Sequence, residues 1–236
     1  MSERLSVTEF PKWDYQEYPK TLPRDDFWGQ TRRTIMGRRI SETEVRLLVD
    51  HIREALLLQP SDILLDLGCG NGALAARLFD DCAGYRGVDL SAYLIEIANE
   101  YFERAPGYLF ALGDVADYAR SVGSPGMFTK ILCFAVLQYL PPETVGSLLE
   151  TVTTRFRGVR RIVFGNLPDR ARARLFFRDG HEEAQIDRHE SQIGRWWSPD
   201  EMRALAASHG WDVAVTRMPV DFFNASYRFD AVLTRP

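Results

Sequence analysis

The chain is expected to fold as an α/β protein: a doubly wound, mostly parallel sheet of seven strands, one of them antiparallel, with helices on both faces. Three observations carry that expectation. From Asp62 onward, short apolar runs alternate with helix-patterned segments, the rhythm of βα units. The fourth run, "TKILCFAVL", is apolar along nearly its whole length, as a strand buried on both faces must be. Finally, "LLDLGCGNG" sets Gly68, Gly70 and Gly72 where the first strand meets the next segment. Glycine weakens a helix or strand by roughly 0.5–1 kcal/mol relative to alanine, so this junction needs bare backbone.

Residues 1–40 read as an N-terminal arm or lid, and 41–236 as the domain proper, with a substrate-side insert at 167–197. "SETEVRLLVDHIREALLL" opens the domain as a helix: Ser41 and Glu44 form a capping box, and Val45, Leu48, Val49, Ile52 and Leu56 share one face. "DILLDL" is the first strand and "GALAARLFDD" the helix after it. "YRGVDL" is the second strand, with a helix over Ser91–Arg104, and "YLFALGD" is the third. After the fourth strand, "PPETVGSLLETVTTRF" begins a helix with prolines, and "VRRIVFGNL" is the fifth strand. The polar stretch Pro168–Trp197 breaks the rhythm. "SPDEMRALAASHG" restores it, with Ser198 as N-cap, Pro199 at N1, Glu201 at N3 and Gly210 as the stop. "WDVAVTRM" and "SYRFDAVLTRP" are two closing strands without a helix between them, so one enters antiparallel.

Composition excludes several function classes. With 236 residues, 45% apolar and 26% charged, the chain suits one large globular domain. A net charge of −4 and no basic stripe argue against a nucleic-acid partner. No apolar run reaches the ~18–20 residues of a membrane span. The N-terminus is polar and acidic without a signal-peptide core, and Cys69, Cys82 and Cys133 form no C-x-x-C pair. A cytoplasmic protein with reduced thiols is expected.

Ligands of open parallel sheets bind beyond the carboxyl ends of the strands, where glycines let a ligand approach the backbone closely. Gly68, Gly70 and Ala73 also satisfy the dinucleotide pattern G-x-G-x-x-A, so the loop alone leaves a nicotinamide cofactor open. Three carboxylates narrow the choice. Asp89 ends the second strand, 17 residues past Gly72, where it can accept from ribose hydroxyls. Asp114 follows the third strand and can reach an adenine amino group. Asp66 stands just before the loop, where it would repel a pyrophosphate and favour a ligand bearing ammonium and sulfonium charges.

With "LLDLGCGNG", "GVDLS", "GDV" and "ILCFAVLQYL" in this order, the sequence resembles the class I S-adenosylmethionine-dependent methyltransferases, whose sheet is Rossmann-like. The resemblance covers about Leu47–Val163. It departs at Phe128-Thr129, where many members have Phe-Asp. It implies S-adenosylmethionine as cofactor and S-adenosylhomocysteine as product. It further implies that Asp66, Gly68, Cys69 and Gly70 cradle the methionine part. Asp89 and Leu90 would hold ribose and adenine, Asp114 and Val115 the adenine edge, and Phe134 and Ala135 the pocket wall.

The acceptor is expected to be a small molecule methylated on a hydroxyl oxygen. The amide-methylating tetrapeptide Asn/Asp-Pro-Pro-Tyr/Phe is absent after strand four, and "GNLPDRARARLFF…IGRWWSPDEM" faintly resembles bacterial sugar and natural-product methyltransferases. Such an acceptor would be polar and hydroxylated, with a negative group read by arginine. A hydroxyl needs a base, and His181 or His189 in the insert is the candidate; His51 and His209 are placed away from the strand ends. Trp28, Arg32, Tyr139, Asn166 and Arg170 are candidate lid or substrate residues. "HEEAQIDRHE" reads as a charged loop, and no metal is expected. An RNA or protein acceptor, or a regulatory protein that binds the cofactor without turnover, are the alternatives.

Overall fold

The computed structural model describes residues 15–177 and 185–235. Its sheet has seven strands: β1 (Ile63–Leu67), β2 (Gly84–Asp89), β3 (Tyr108–Leu112), β4 (Lys130–Phe134), β5 (Arg161–Pro168), β6 (Asp212–Thr216) and β7 (Arg228–Thr234). Their order across the sheet is β3-β2-β1-β4-β5-β7-β6, and β7 is antiparallel to both its neighbours, as the missing helix before it requires. The order reverses between β1 and β4, so the carboxyl ends of these two strands face the crevice where such sheets bind ligands.

Five helices flank the sheet: α1 (Glu42–Leu56), α2 (Ala92–Tyr101), α3 (Val115–Ser121), α4 (Pro142–Arg155) and α5 (Pro199–Ala207). The capping boxes at Ser41/Glu44 and Ser198/Glu201 are both formed. Successive strand residues point to opposite faces. Leu64 and Leu132 join Leu48, Ile52 and Leu56 of α1 on one side. Leu65 and Ile131 join Leu148, Leu149 and Val152 of α4 on the other. Each such side chain, fully buried, stabilises the fold by ~1.5–3 kcal/mol.

The segment "GALAARLFDD" differs from its expected helix. It forms two 3₁₀ turns, Ala75–Arg77 and Phe79–Asp81. Gly72 has φ +79°, which no helix accommodates, and Phe79 is drawn into an aromatic cluster with Tyr85, Tyr108 and Phe110. The insert differs too. Its polar reading holds for the exposed Arg174, whereas Trp196 and Trp197 at its end are buried, Trp196 packing on Phe177 and Tyr227. Among the described residues no helix is long and apolar enough to cross a membrane.

The described part of the arm is fastened to the domain. Asn71 donates to Phe27 O and Gln30 Oε1, both at 2.8 Å, and Arg24 pairs with Glu96 and Glu100 of α2. A two-residue ribbon, Thr34–Ile35 with Arg38–Arg39, leads from there to α1.

One polar junction crosses the core. His51 of α1 meets the carboxylate of Asp230 on β7, and both are largely buried. The second Asp230 oxygen accepts Asn166 N at 2.5 Å. His51, expected to lie apart from the strand ends, thus supports the end of β5. Removing a hydrogen-bond partner of a charged buried group costs ~1.5–3 kcal/mol, so His51→Ala is expected to lower unfolding free energy by about that amount in chemical denaturation.

Candidate active site

β1 is buried at Leu64 through Leu67 and then turns sharply. Gly68 and Gly70 take φ +90° and +59°, angles that side-chain-bearing residues resist. A Cβ built on Gly68 would lie 2.1 Å from Val136 Cγ2, so the loop leaves no room for one. Gly68 N and Cys69 N both donate to Val88 O, at 2.8 and 3.1 Å. Gly70 N donates to Asp89 Oδ2 at 2.9 Å, and Ser91 N to Asp89 Oδ1 at 2.9 Å. Burial raises the Asp89 carboxyl above its ordinary range, while these amides work to keep it ionised.

Above the strand ends lies a cavity of about 690 Å³. At one end it is lined by the loop glycines Gly68 and Gly70, by Asp89 and Leu90 after β2, and by Asp114 and Val115 after β3. Asp114 caps α3: its Oδ1 accepts from Ala116 N and Asp117 N, at 2.8 and 3.0 Å. Its Oδ2 makes no hydrogen bond among the described residues and is free to accept another donor. Phe134 and Ala135 close the floor. Ala135, just after β4, and Asn166, at the irregularity in β5 between Phe164 and Leu167, adopt φ +63° and +61°. Strained non-glycine backbone of this kind is held only where the surroundings enforce it, here by Ala135 N on Gly165 O and Asn166 N on Asp230.

The far end takes in Tyr139, Asn166 and His189 of the expected set. The Tyr139 hydroxyl donates to Gln192 O at 3.2 Å, and His189 Nε2 lies 3.4 Å from Glu190 Oε1. Arg32 reaches the rim, stacked 3.2 Å above the Tyr18 ring. Other expected residues sit elsewhere. Asp66 turns back into the sheet layer, and Cys69 packs on Gly87. Trp28 packs on the core beneath the arm, and Arg170 pairs with Asp187 at the surface. His181 lies outside the described residues. Among the described residues, no group of three or more histidine, cysteine or acidic side chains is placed to hold a metal.

Arg33, offered with Trp28 and Arg32 by the arm's "FWGQTRR", lines the cavity near Asp66, its guanidinium pKa lowered by burial. Gln138, Phe222, Asn224 and Arg228, which sequence reasoning missed, also line the cavity. Nothing local distinguishes them in the sequence, because they are gathered only by the fold, from the turn after β4, the loop before β7 and the start of β7.

The strand order, the glycine turn and the acids at the ends of β2 and β3 define the class: a Rossmann-like class I methyltransferase fold. Comparison with known proteins agrees. A family profile described as a methyltransferase domain matches residues 65–157. The ubiquinone biosynthesis O-methyltransferase of Ralstonia nicotianae is 24% identical over 65% of this chain and 64% of its own. The malonyl-[acyl-carrier protein] O-methyltransferase of Halalkalibacterium halodurans is 31% identical over 47% of this chain and 42% of its own. The chain thus spans less than two thirds of the length of these curated relatives. Magnesium protoporphyrin IX methyltransferase from Synechocystis PCC 6803 shares the fold, with a TM-score of 0.61 at 15% identity over the whole of both chains. In fold the chain is thus Rossmann-like in the manner of the class I methyltransferases, and its residues 65–157 carry a match to a methyltransferase domain.

Asp66 has a further consequence for stability. Burial pushes its carboxyl up to about 7, against the Tyr85 hydroxyl that donates to it at 2.7 Å and the nearby Arg33 charge. A carboxyl whose folded pKa exceeds its unfolded value of 3.8 stabilises the fold below that unfolded value. The stabilisation is lost as pH rises toward 7. Asp66→Asn is therefore expected to be near-neutral at pH ~3.5, increasingly stabilising relative to wild type as pH rises through the window, and most so at pH ~8, read as the difference in melting temperature of the ligand-free proteins.

Proposed function

We propose that the protein transfers the methyl group of S-adenosylmethionine to a hydroxyl oxygen of a small polar acceptor of the sugar or natural-product kind. One observation carries this reading: a single cavity joins the glycine turn and the acids of β2 and β3 to the side chains of Tyr139, Asn166 and His189. The names of the curated O-methyltransferase relatives favour oxygen as the methylated atom.

When bound, S-adenosylmethionine supplies an electrophilic methyl on a sulfonium sulfur. The residues present fit it. The bare backbone at Gly68 and Gly70 admits the methionine part. Asp89 keeps lone pairs for ribose hydroxyls beyond its two amide donors, and Leu90, 43% exposed, offers an apolar face to adenine. The free Asp114 Oδ2 accepts from the adenine amino group. Arg33, a guanidinium without an ion pair among the described residues, suits the methionine carboxylate.

The work left to the protein is to align the acceptor oxygen and take its proton. Among the described residues His189 is the imidazole that lines the cavity, its Nε2 3.4 Å from Glu190 Oε1, and it is the group to take that proton.

Two measurements test the reading. S-adenosylhomocysteine is expected to bind, and Asp89→Ala to weaken it by at least ~1.5 kcal/mol by titration calorimetry. An unchanged affinity in the folded variant removes Asp89 from the ribose site. With the acceptor in hand, His189→Ala is expected to lower kcat by ~10²-fold or more while leaving S-adenosylhomocysteine affinity intact. Wild-type turnover would pass the role to another group such as Tyr139.

A further inference from the structure

Buried polar atoms nearly always find hydrogen-bond partners, so those left without one mark a place where something else binds. Among the described residues seven buried side-chain atoms make no hydrogen bond. Three belong to cavity-lining residues: Gln138 Oε1, Asn224 Oδ1 and Arg228 Nε. These side chains are rigidly held, at 1%, 5% and 8% exposure. Two of them, Asn224 and Arg228, meet at Asn166 of β5.

Arg228 is the informative one. It leaves β7 at its first residue, and its Nη1 donates to Asn166 O at 2.5 Å. The Tyr227 ring flanks it, with the guanidinium carbon 5.5 Å from the ring centre. It makes no ion pair among the described residues. The opposite edge of the guanidinium, formed by Nε–H and Nη2–H, is therefore unpartnered. That edge is the two-pronged fork that carboxylates and phosphates engage. An arginine stays charged, and a buried charge without a counter-ion is unfavourable unless a ligand brings one. Asn224 stands beside it: its Nδ2 donates to Asn166 Oδ1 at 3.0 Å, which leaves its own carbonyl oxygen open. Gln138 lines the same cavity from the turn after β4, clamped by Arg195 N on its backbone oxygen at 2.7 Å. The donor-poor, acceptor-rich pair Asn224 Oδ1 and Gln138 Oε1 calls for hydroxyl groups on the ligand. Phe222 supplies an apolar wall.

We infer that the acceptor is an anion: a hydroxylated small molecule whose carboxylate or phosphate docks on the Nε/Nη2 edge of Arg228, with its hydroxyls donating to Asn224 and Gln138. This rests on the methyltransferase reading above and makes it more specific. Arg228 thus takes the part for which the arginines of the insert were candidates. Arg170 is engaged by Asp187, and Arg172 lies 3.7 Å from Asp169.

The test is calorimetric binding to the full chain saturated with S-adenosylhomocysteine. The probes are three pairs that differ in the anion alone or nearly so: 3,4-dihydroxybenzoate and its amide, glucuronate and glucuronamide, glucose 6-phosphate and glucose. In at least one pair the anion is expected to bind about tenfold or more tighter than its neutral partner, the worth of one charged hydrogen-bonded contact. The stronger arm identifies the group as carboxylate or phosphate. Arg228→Met is expected to erase the preference and Arg228→Lys, which keeps the charge without the fork, to retain part of it. S-adenosylhomocysteine affinity within about twofold of wild type certifies that each variant is folded. Equal binding of both members in every pair, no binding of any anion, or a preference that survives Arg228→Met overturns the inference. Failure of the wild-type chain to bind S-adenosylhomocysteine overturns instead the methyltransferase reading beneath it.

Discussion

The carboxylate of Asp89 organises the crevice. It ends β2, yet it accepts the amide of Gly70 in the loop after β1 and the amide of Ser91 at the start of α2. Three chain segments therefore meet on one side chain. With Gly70 held in place, the left-handed turn at Gly68 lies against Val136, and the ends of β1 and β4 are brought to van der Waals distance. The cofactor end of the cavity is the space left over these tied strand ends. Its shape follows from backbone amides rather than from flexible side chains, which suits a site whose main contribution is positional.

The other end is built on a different principle. Asp230 is buried under β5, and it holds Asn166 N on one oxygen and His51 on the other. Asn166 in turn offers its backbone oxygen to Arg228 and its side-chain oxygen to Asn224. A buried polar network is stiff when its members are satisfied. Here Asp230 is satisfied, whereas Asn224 Oδ1 and Arg228 Nε, on residues that line the cavity, make no hydrogen bond.

Much of the fold was legible because it rests on local signals. The capping residues Ser41 and Ser198, the two-faced apolar run of β4 and the missing helix before β7 each specify their element within a dozen residues. The helix expected after Gly72 failed for a local reason as well: a glycine at φ +79° and the pull of Phe79 into an aromatic cluster outweigh helix propensity. At the site, the loop and strand-end residues could be read because each follows its own strand. Gln138, Asn224 and Arg228 could not, since an amide or an arginine carries no periodic signature and these come together only when distant strands cross. Asp66 was legible as an acid before the loop, but not the direction of its side chain, which the Tyr85 hydroxyl decides.

The two ends of the cavity differ in how much chain they require. Residues lining the cofactor end run from Arg33 to Ala135, all of them before β5, and Gly70 meets Asp89 across 19 positions. The acceptor end joins His51 to Asp230 across 179 positions of sequence. A chain emerging from the ribosome has every cofactor-end residue in hand once β4 and the residue after it are made. The other end is complete only when β7 slots between β5 and β6. Closure over so long a separation is slow to form. The end proposed for the acceptor is thus the later of the two to take shape, because it waits on the pairing of β7.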